Sequence, residues 1–233
     1  MPKGKKYRNS LEKLKGKDFY ELSEAIKLLK ETSATKFDAT AELHVSLNID
    51  VKKPEQNLRG TVSMPHGTGK TLKIAAIVTD DKIKAAKAAG AAAAGLEDLL
   101  AEFSKGKIDY DIIVATPDVM KNLSKVAKIL GQKGLMPNPK SGTVSDNIEK
   151  TIKELTGGRV EYRNDKDGNI HTIFGKLSFK EEQLENNLKT ILKAIKDAKP
   201  SGVKGTFINS ITITSTMGPG IHMDINQALK SLS

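Results

Sequence analysis

A change of hydrophobic rhythm, made twice along the chain, constrains the fold more than any other feature. Ala41, Leu43, Val45, Leu47 and Ile49 alternate strictly with Thr40, Glu42, His44, Ser46 and Asn48. A period of two predicts a strand with one buried and one polar face, as in an antiparallel sheet open on one side. A second strand is expected from Gly60 to Met64. Between these and Gly158 the pattern differs. Short apolar runs, Ile74–Val78 and Asp109–Ala115, alternate with helical stretches. Strands apolar on both faces and separated by helices predict βαβ units in a parallel sheet. After Gly158 the alternation returns at Val160 and Tyr162, at Ile170 to Phe174, and at Phe207, Ile211 and Ile213 against Ser210, Thr212, Thr214 and Thr216. The economical topology is an α+β outer domain built from both termini, residues 1–66 and 158–233, interrupted by an inserted α/β domain, residues 67–157. The chain would cross between them at Pro65-His66-Gly67 and at Gly157-Gly158, turn-rich segments suited to a hinge.

Local signals fill in the helices. Leu22, Ala25, Ile26 and Leu29 are spaced for a helix with Ser23 as N-cap. A helix opened by Asp80 and Asp81 should stop at Gly90, and Gly95 to Phe103 reads as another. Thr116-Pro117 reads as an N-cap followed by proline at the first helical position, with the helix running to Gly131. Ser145 is expected to cap a helix ending at Gly157. Asp167-Gly168 predicts the turn of a hairpin between the strands on either side. Ser178-x-x-Glu181 has the form of a capping box, opening a helix through Ala198.

Charge points to an anionic partner. The 233 residues carry 38 Lys and Arg against 28 Asp and Glu, a net charge of +10. The outer segments hold +7 of this and the inserted segment +3. A nucleic-acid binder needs such an excess to release counterions from phosphates, although a basic enzyme could share it. Residues 1–17 hold seven basic residues and one acid, a basic arm. Aromatic residues are 4% and Trp is absent, which argues against single-strand binding mainly by base stacking. With no Cys there are no disulfides, thiol nucleophiles or Cys-based zinc sites. No apolar run is long enough to span a membrane, and none follows the basic N-terminus as a secretory signal requires.

Motifs for chemistry are missing. Gly67-Thr68-Gly69-Lys70-Thr71 imitates a phosphate loop, but Met64 stands where the first glycine is needed and a strand follows instead of a helix. His44, His66, His171 and His222 show no metal-ligand spacing. Thr79-Asp80-Asp81 stands where a dinucleotide site needs glycines, and its acids would repel a pyrophosphate. No catalytic residue, cofactor or metal is therefore expected. Three segments stand out instead. Lys36-Phe37-Asp38 joins the first helix to the first outer strand. Thr216-Met217-Gly218-Pro219-Gly220 ends the last strand in a turn where backbone can approach a ligand closely. Gln132 to Lys140 packs Gly134, Pro137 and Pro139 around Leu135 and Met136, with Lys133 and Lys140 flanking.

Met64-Pro65-His66-Gly67-Thr68-Gly69-Lys70, Ala115-Thr116-Pro117-Asp118-Val119-Met120, Gly134-Leu135-Met136-Pro137-Asn138-Pro139-Lys140 with Gly142-Thr143-Val144, and Ser215-Thr216-Met217-Gly218-Pro219 occur in that order. Together they make the chain resemble the L-one family of large-subunit ribosomal proteins, in its bacterial form. Gln132-Lys133 departs from the family's usual Pro-Arg, keeping charge but losing the fork geometry of arginine. The resemblance implies an outer domain interrupted by a Rossmann-like one. It implies a cytoplasmic, non-enzymatic protein, monomeric within the ribosome. Such a protein binds large-subunit rRNA at a mobile stalk near the exit-site tRNA, assists release of deacylated tRNA, and represses translation of its own operon mRNA. Carried over by motif, RNA contacts fall on Lys36, Phe37, Thr216, Met217 and Gly218, with Thr40, Glu42, His44 and His171 as neighbours. Lys133, Gly134, Leu135, Met136 and Lys140 form a candidate loop on the tRNA side.

Overall fold

The computed structural model describes residues 4–14 and 16–232. The chain begins with α1 (Lys5–Glu12), α2 (Leu22–Glu31), β1 (Thr40–Leu47) and β2 (Arg59–Ser63). It continues through β3 (Ile74–Ile77), α3 (Ile83–Ala88), β4 (Ala93–Gly95), α4 (Glu97–Ser104), β5 (Ile112–Ala115), α5 (Met120–Leu123), α6 (Ala127–Gln132) and α7 (Ile148–Thr156). It ends with β6 (Arg159–Arg163), β7 (Asn169–Lys176), α8 (Glu181–Asp197), β8 (Ile208–Ser215), β9 (Ile221–Met223) and α9 (Ile225–Lys230). Two compact units result: one from the chain up to Gly69 together with the chain from Val160 onward, the other from Lys70–Arg159.

The first unit is built on a four-stranded sheet in the order β7-β1-β8-β9, antiparallel throughout. The alternation read in the sequence decides which way each strand faces. Ala41, Leu43, Val45 and Leu47 are buried, and Thr40, Glu42, His44 and Ser46 are only half-buried. The buried side meets α2, through Ala25, Ile26 and Leu29, and α8, through Leu184, Leu188, Ile191 and Ile195. Burying each such leucine or isoleucine is worth about 1.5–3 kcal/mol. Both helices therefore lie on one face of the sheet, and the opposite face keeps its polar residues within reach of solvent.

The second unit has a three-stranded parallel sheet, β4-β3-β5, with Val144 bridging to Ala115 beyond β5. All four residues of β3 are buried. They feed two clusters, one around Phe103, Leu123 and Leu130, the other around Ile148, Ile152 and Leu155. A central parallel strand covered on both faces needs this unbroken apolar run.

Several local expectations are corrected. Residues 5–12 of the basic arm form a helix, with Ser10 buried on it; residues 1–3 and Lys15 lie outside the described residues. Glu21, not Ser23, occupies the N-cap of α2. Ala93–Gly95 is a strand, although alanine favours helix, because parallel pairing with Ala75 to Ile77 overrides local propensity. Thr116 stands at an N-cap with Pro117 next, as expected, but the helix it opens is a single 3-10 turn (Pro117–Val119) that its side chain does not bond, and the helix expected to reach Gly131 breaks at residues 124–126 into α5 and α6. Asn147 caps α7 by accepting from the Lys150 N–H, while Ser145 accepts only from the Asn147 N–H. The Ser178 box does not form. Ser178 N–H and Oγ donate to Asp38, and Gln183 closes the helix start by accepting from the Lys180 N–H. The two strands expected as a hairpin belong to different sheets: β6 pairs with β2, β7 with β1, and only an Asn164–Ile170 bridge joins them. At that junction the Asn164 side-chain oxygen accepts from the buried Leu58 N–H.

Candidate nucleic-acid interface

The open face of the four-stranded sheet collects the residues carried over as RNA contacts. β1 begins at Thr40, β7 ends at Lys176 and β8 ends at Ser215. The register pairs Thr40 with Lys176 and Ala41 with Ser215. Antiparallel pairing thus carries the Lys36-Phe37-Asp38 loop and the Thr216–Gly218 turn to one end of the sheet. Phe37 is 58% and Met217 80% exposed there, two of only four large exposed apolar side chains among the described residues. Exposing them costs solvation, and each is held in place. Asp38 accepts from Ser178, and Thr35 Oγ1 donates to the Phe37 carbonyl at 3.1 Å. Met217 has φ +67°, the one described non-glycine residue in that region. The Gly218 N–H donates to the Ser215 carbonyl at 2.7 Å and closes the turn, where a Cβ on Gly218 would strike the Ser215 side chain.

Polar groups join the two segments. Lys176 Nζ donates to Thr40 Oγ1 at 2.9 Å and to the Asp38 carbonyl at 3.3 Å. Thr216 Oγ1 accepts from the Thr40 N–H at 3.1 Å and lies 3.4 Å from Glu42 Oε1. Lys36 is exposed beside them. This end of the face offers two ammonium groups, carboxylates, hydroxyls and two apolar side chains.

A second row crosses the sheet further along. The register aligns His171 on β7 with His44 on β1, His44 with Thr212 on β8, and Thr212 with His222 on β9. His44 Nδ1 lies 2.8 Å from His171 Nδ1, and Thr212 Oγ1 lies 3.0 Å from His222 Nδ1. Burial first, then the neighbouring His171, holds the His44 imidazole below the ordinary histidine range, with Glu42 opposing. His171 Nε2 lies 3.3 Å from Asp165 Oδ2, and that carboxyl is held below its usual range chiefly by the Asn169 N–H. Glu42 and His171 are both on this face, but His171 belongs to this row and not to the Phe37 end. Lys176 and Asp165 escaped the sequence reading. Alternation places Lys176 outside, but only strand register shows what it meets.

The other singled-out segments lie elsewhere. His66 and Gly67 are fastened to α8: Asn187 Oδ1 accepts from the His66 N–H at 3.2 Å, and Asn187 Nδ2 donates to the Gly67 and Phe174 carbonyls, each at 2.9 Å. Pro65 precedes them and is exposed. Gly157 continues the helical backbone at φ −70° and Gly158 turns out of it at φ +100°. In the second unit Leu135 and Met136 are half-buried against its core, while Lys133, Gly134 and Lys140 stay exposed. Asn138 shapes that loop, its side chain accepting from the Lys140 N–H at 2.8 Å. Among the described residues no group of three or more His, Asp or Glu could hold a metal ion. No described helix is long and apolar enough to cross a membrane.

Comparison with known proteins adds a family. The ribosomal protein L1p/L10e family matches residues 29–219. The large ribosomal subunit protein uL1 of Aster yellows witches'-broom phytoplasma is 50% identical over 224 residues, covering 96% of this chain and 97% of the relative. That of Chloroflexus aggregans is 50% identical over 229 residues, covering 97% of each. That of Thermus thermophilus is 47% identical over 226 residues, covering 96% of this chain and 99% of the relative.

Proposed function

The chain belongs to the ribosomal protein L1p/L10e family, and from that membership we propose that it is a structural, non-enzymatic protein of the large ribosomal subunit that holds large-subunit rRNA on the open face of its four-stranded sheet. The observation that carries the site assignment is the meeting of exposed Phe37 and Met217 at one end of a polar, unburied sheet face. An A-form helix hides its base edges, so a protein reads it through shape, phosphates and 2′-hydroxyls. Lys36 and Lys176 supply charge for phosphates, Glu42 and the threonine hydroxyls partners for riboses, and Phe37 and Met217 apolar surface for a sugar or an unstacked base. A similar structure in the protein's own operon mRNA would fit the same face, so repression of that transcript would need no second site.

The second unit is assigned to the tRNA side of the stalk. Exposed Lys133 and Lys140 flank a loop anchored by Leu135 and Met136, a rigid basic projection suited to exit-site tRNA. The two units act as domains about the crossings near Gly69 and Gly158, and because Asn187 fastens His66 and Gly67, bending falls beyond them.

Affinity of the full-length protein for deproteinised large-subunit rRNA tests the assignment. Phe37→Ala with Met217→Ala should weaken binding at least tenfold without altering its salt dependence, whereas Lys133→Ala with Lys140→Ala should leave it nearly unchanged. Unaltered binding by the first pair would remove the open face as the RNA site.

A further inference from the structure

Distances in the row of side chains across the sheet constrain where its protons sit. His44 and His171 meet Nδ1 to Nδ1 at 2.8 Å, so one of these nitrogens carries the hydrogen and the other accepts it. Asp165 decides which. Its Oδ1 accepts from the Asp167 and Asn169 N–H groups at 2.9 and 2.7 Å, which fixes the carboxylate. Its Oδ2 faces His171 Nε2 at 3.3 Å. A lone pair on Nε2 would repel that oxygen, so Nε2 carries the hydrogen. With both rings neutral, His171 Nδ1 is then the acceptor and His44 Nδ1 the donor, because Asp165 Oδ2 at 3.3 Å outweighs Glu42 Oε2 at 3.8 Å from His44 Nε2, and His44 Nε2 is left with a bare lone pair. His44 is about one-third exposed on the open face, so this lone pair is accessible.

The surroundings select what this nitrogen takes. Glu42 Oε2 lies 3.8 Å away on the same strand, His171 and Asp165 stand on the β7 side, and uncharged Thr212 and then His222 follow on β8 and β9. The helices pack the opposite face. The Glu42 carboxylate beside this lone pair, with Asp165 further off across His171, disfavours a phosphate and favours a neutral hydrogen-bond donor.

We infer that His44 Nε2 is a built acceptor for a ribose 2′-hydroxyl, held in that state by the Asp165–His171 pair, and that it makes this face prefer RNA to DNA. His44 is the binding residue, and Asp165 and His171 are positioning residues. This rests on the reading of the open face as the RNA site. Burial and His171 keep His44 neutral at pH 7, as the role requires. A proton arriving at Nε2 replaces the acceptor with a donor, so the contact weakens as pH falls through the His44 titration, below the usual value near ~6.5.

The full-length protein and deproteinised large-subunit rRNA, at fixed ionic strength, provide the test. His44→Ala should bind about fivefold more weakly at pH 7.5 with an unchanged salt slope, because one non-ionic hydrogen bond is lost. His44→Gln, whose carbonyl accepts but does not titrate, should regain most of that affinity and lose the weakening on acidification. Asp165→Asn should weaken wild-type binding but add little to His44→Ala. In the protected RNA segment remade with single 2′-deoxy substitutions, one position should matter to wild type and not to His44→Ala. If His44→Ala and His44→Gln keep wild-type affinity and pH profile while Phe37→Ala with Met217→Ala weakens binding, the inference is overturned and the RNA reading stands. If all of them bind as wild type, the RNA reading itself falls. Should His44→Ala fail to fold, His44→Gln and the deoxy scan decide: a His44→Gln protein that weakens on acidification as wild type does sinks the inference.

Discussion

Thr216 Oγ1 accepts a hydrogen bond from the Thr40 N–H at 3.1 Å, joining residues 176 positions apart in the chain. The Thr216 N–H in turn donates to the Thr40 carbonyl at 3.0 Å. The turn that presents Met217 is thereby tied to the strand that follows Phe37, and both apolar contacts share one support.

Thr216→Ala removes the hydroxyl that this backbone N–H uses. Stability should fall by about 1 kcal/mol, read by denaturant unfolding, and rRNA affinity should fall with it. Thr216→Ser should restore both. The slope of log affinity against log salt should be the same in all three proteins, because no charge changes. A flattened slope for Thr216→Ala would contradict a non-ionic role.

Met217 holds φ +67° with its side chain 80% exposed. A left-handed conformation costs a non-glycine residue about 1 kcal/mol or more. Met217→Gly should therefore raise the melting temperature while weakening RNA binding several-fold. Strain retained for a contact predicts opposite signs in these two measurements. A variant that loses both stability and affinity would show that the side chain serves packing.

Asn187 is fully buried, and its amide donates to two backbone carbonyls. Asn187→Asp is nearly isosteric but cannot donate to both. It should cost about 3 kcal/mol at neutral pH, since two buried acceptors face a carboxylate. Burial raises the pKa of the new carboxyl in the folded protein, so the folded state takes up a proton first and part of the loss is recovered as pH falls. Chemical denaturation at pH 7.5 and 5 reads the difference, and a larger deficit at pH 5 would refute the assignment.

Gly158 turns at φ +100° whereas Gly157 keeps helical φ. Gly158→Ala should destabilise by about 1–2 kcal/mol. Gly157→Ala should cost less, its Cβ meeting the Lys153 carbonyl at 3.1 Å. If this crossing is the hinge, single-molecule distances between labels in the two units should narrow in the double variant, with rRNA affinity little changed. An unaltered distance distribution and an unaltered rate of exit-site tRNA release in a folded double variant would sink the hinge.

Sequence alone determined the elements whose signal is local. The period-two pattern of 40–49 sets which β1 side chains face water, because successive residues point to opposite faces whatever the partner. The apolar stripe of α8 and the unbroken Ile74–Val78 run are legible for the same kind of reason. Motif order pointed to the family, and Phe37 and Thr216–Gly218 were carried over from it as candidate RNA contacts. Tertiary structure decided what depends on register between distant strands. Ala93–Gly95 becomes a strand only because β3 offers it a parallel edge. β6 pairs with β2 and β7 with β1, partners that only the fold brings alongside. The His44–His171 pair spans 127 positions, and its proton arrangement depends on Asp165 beyond it. Hydrogen bonds between side chains far apart in sequence leave no periodicity to read, because each residue pairs through the fold and not along the chain.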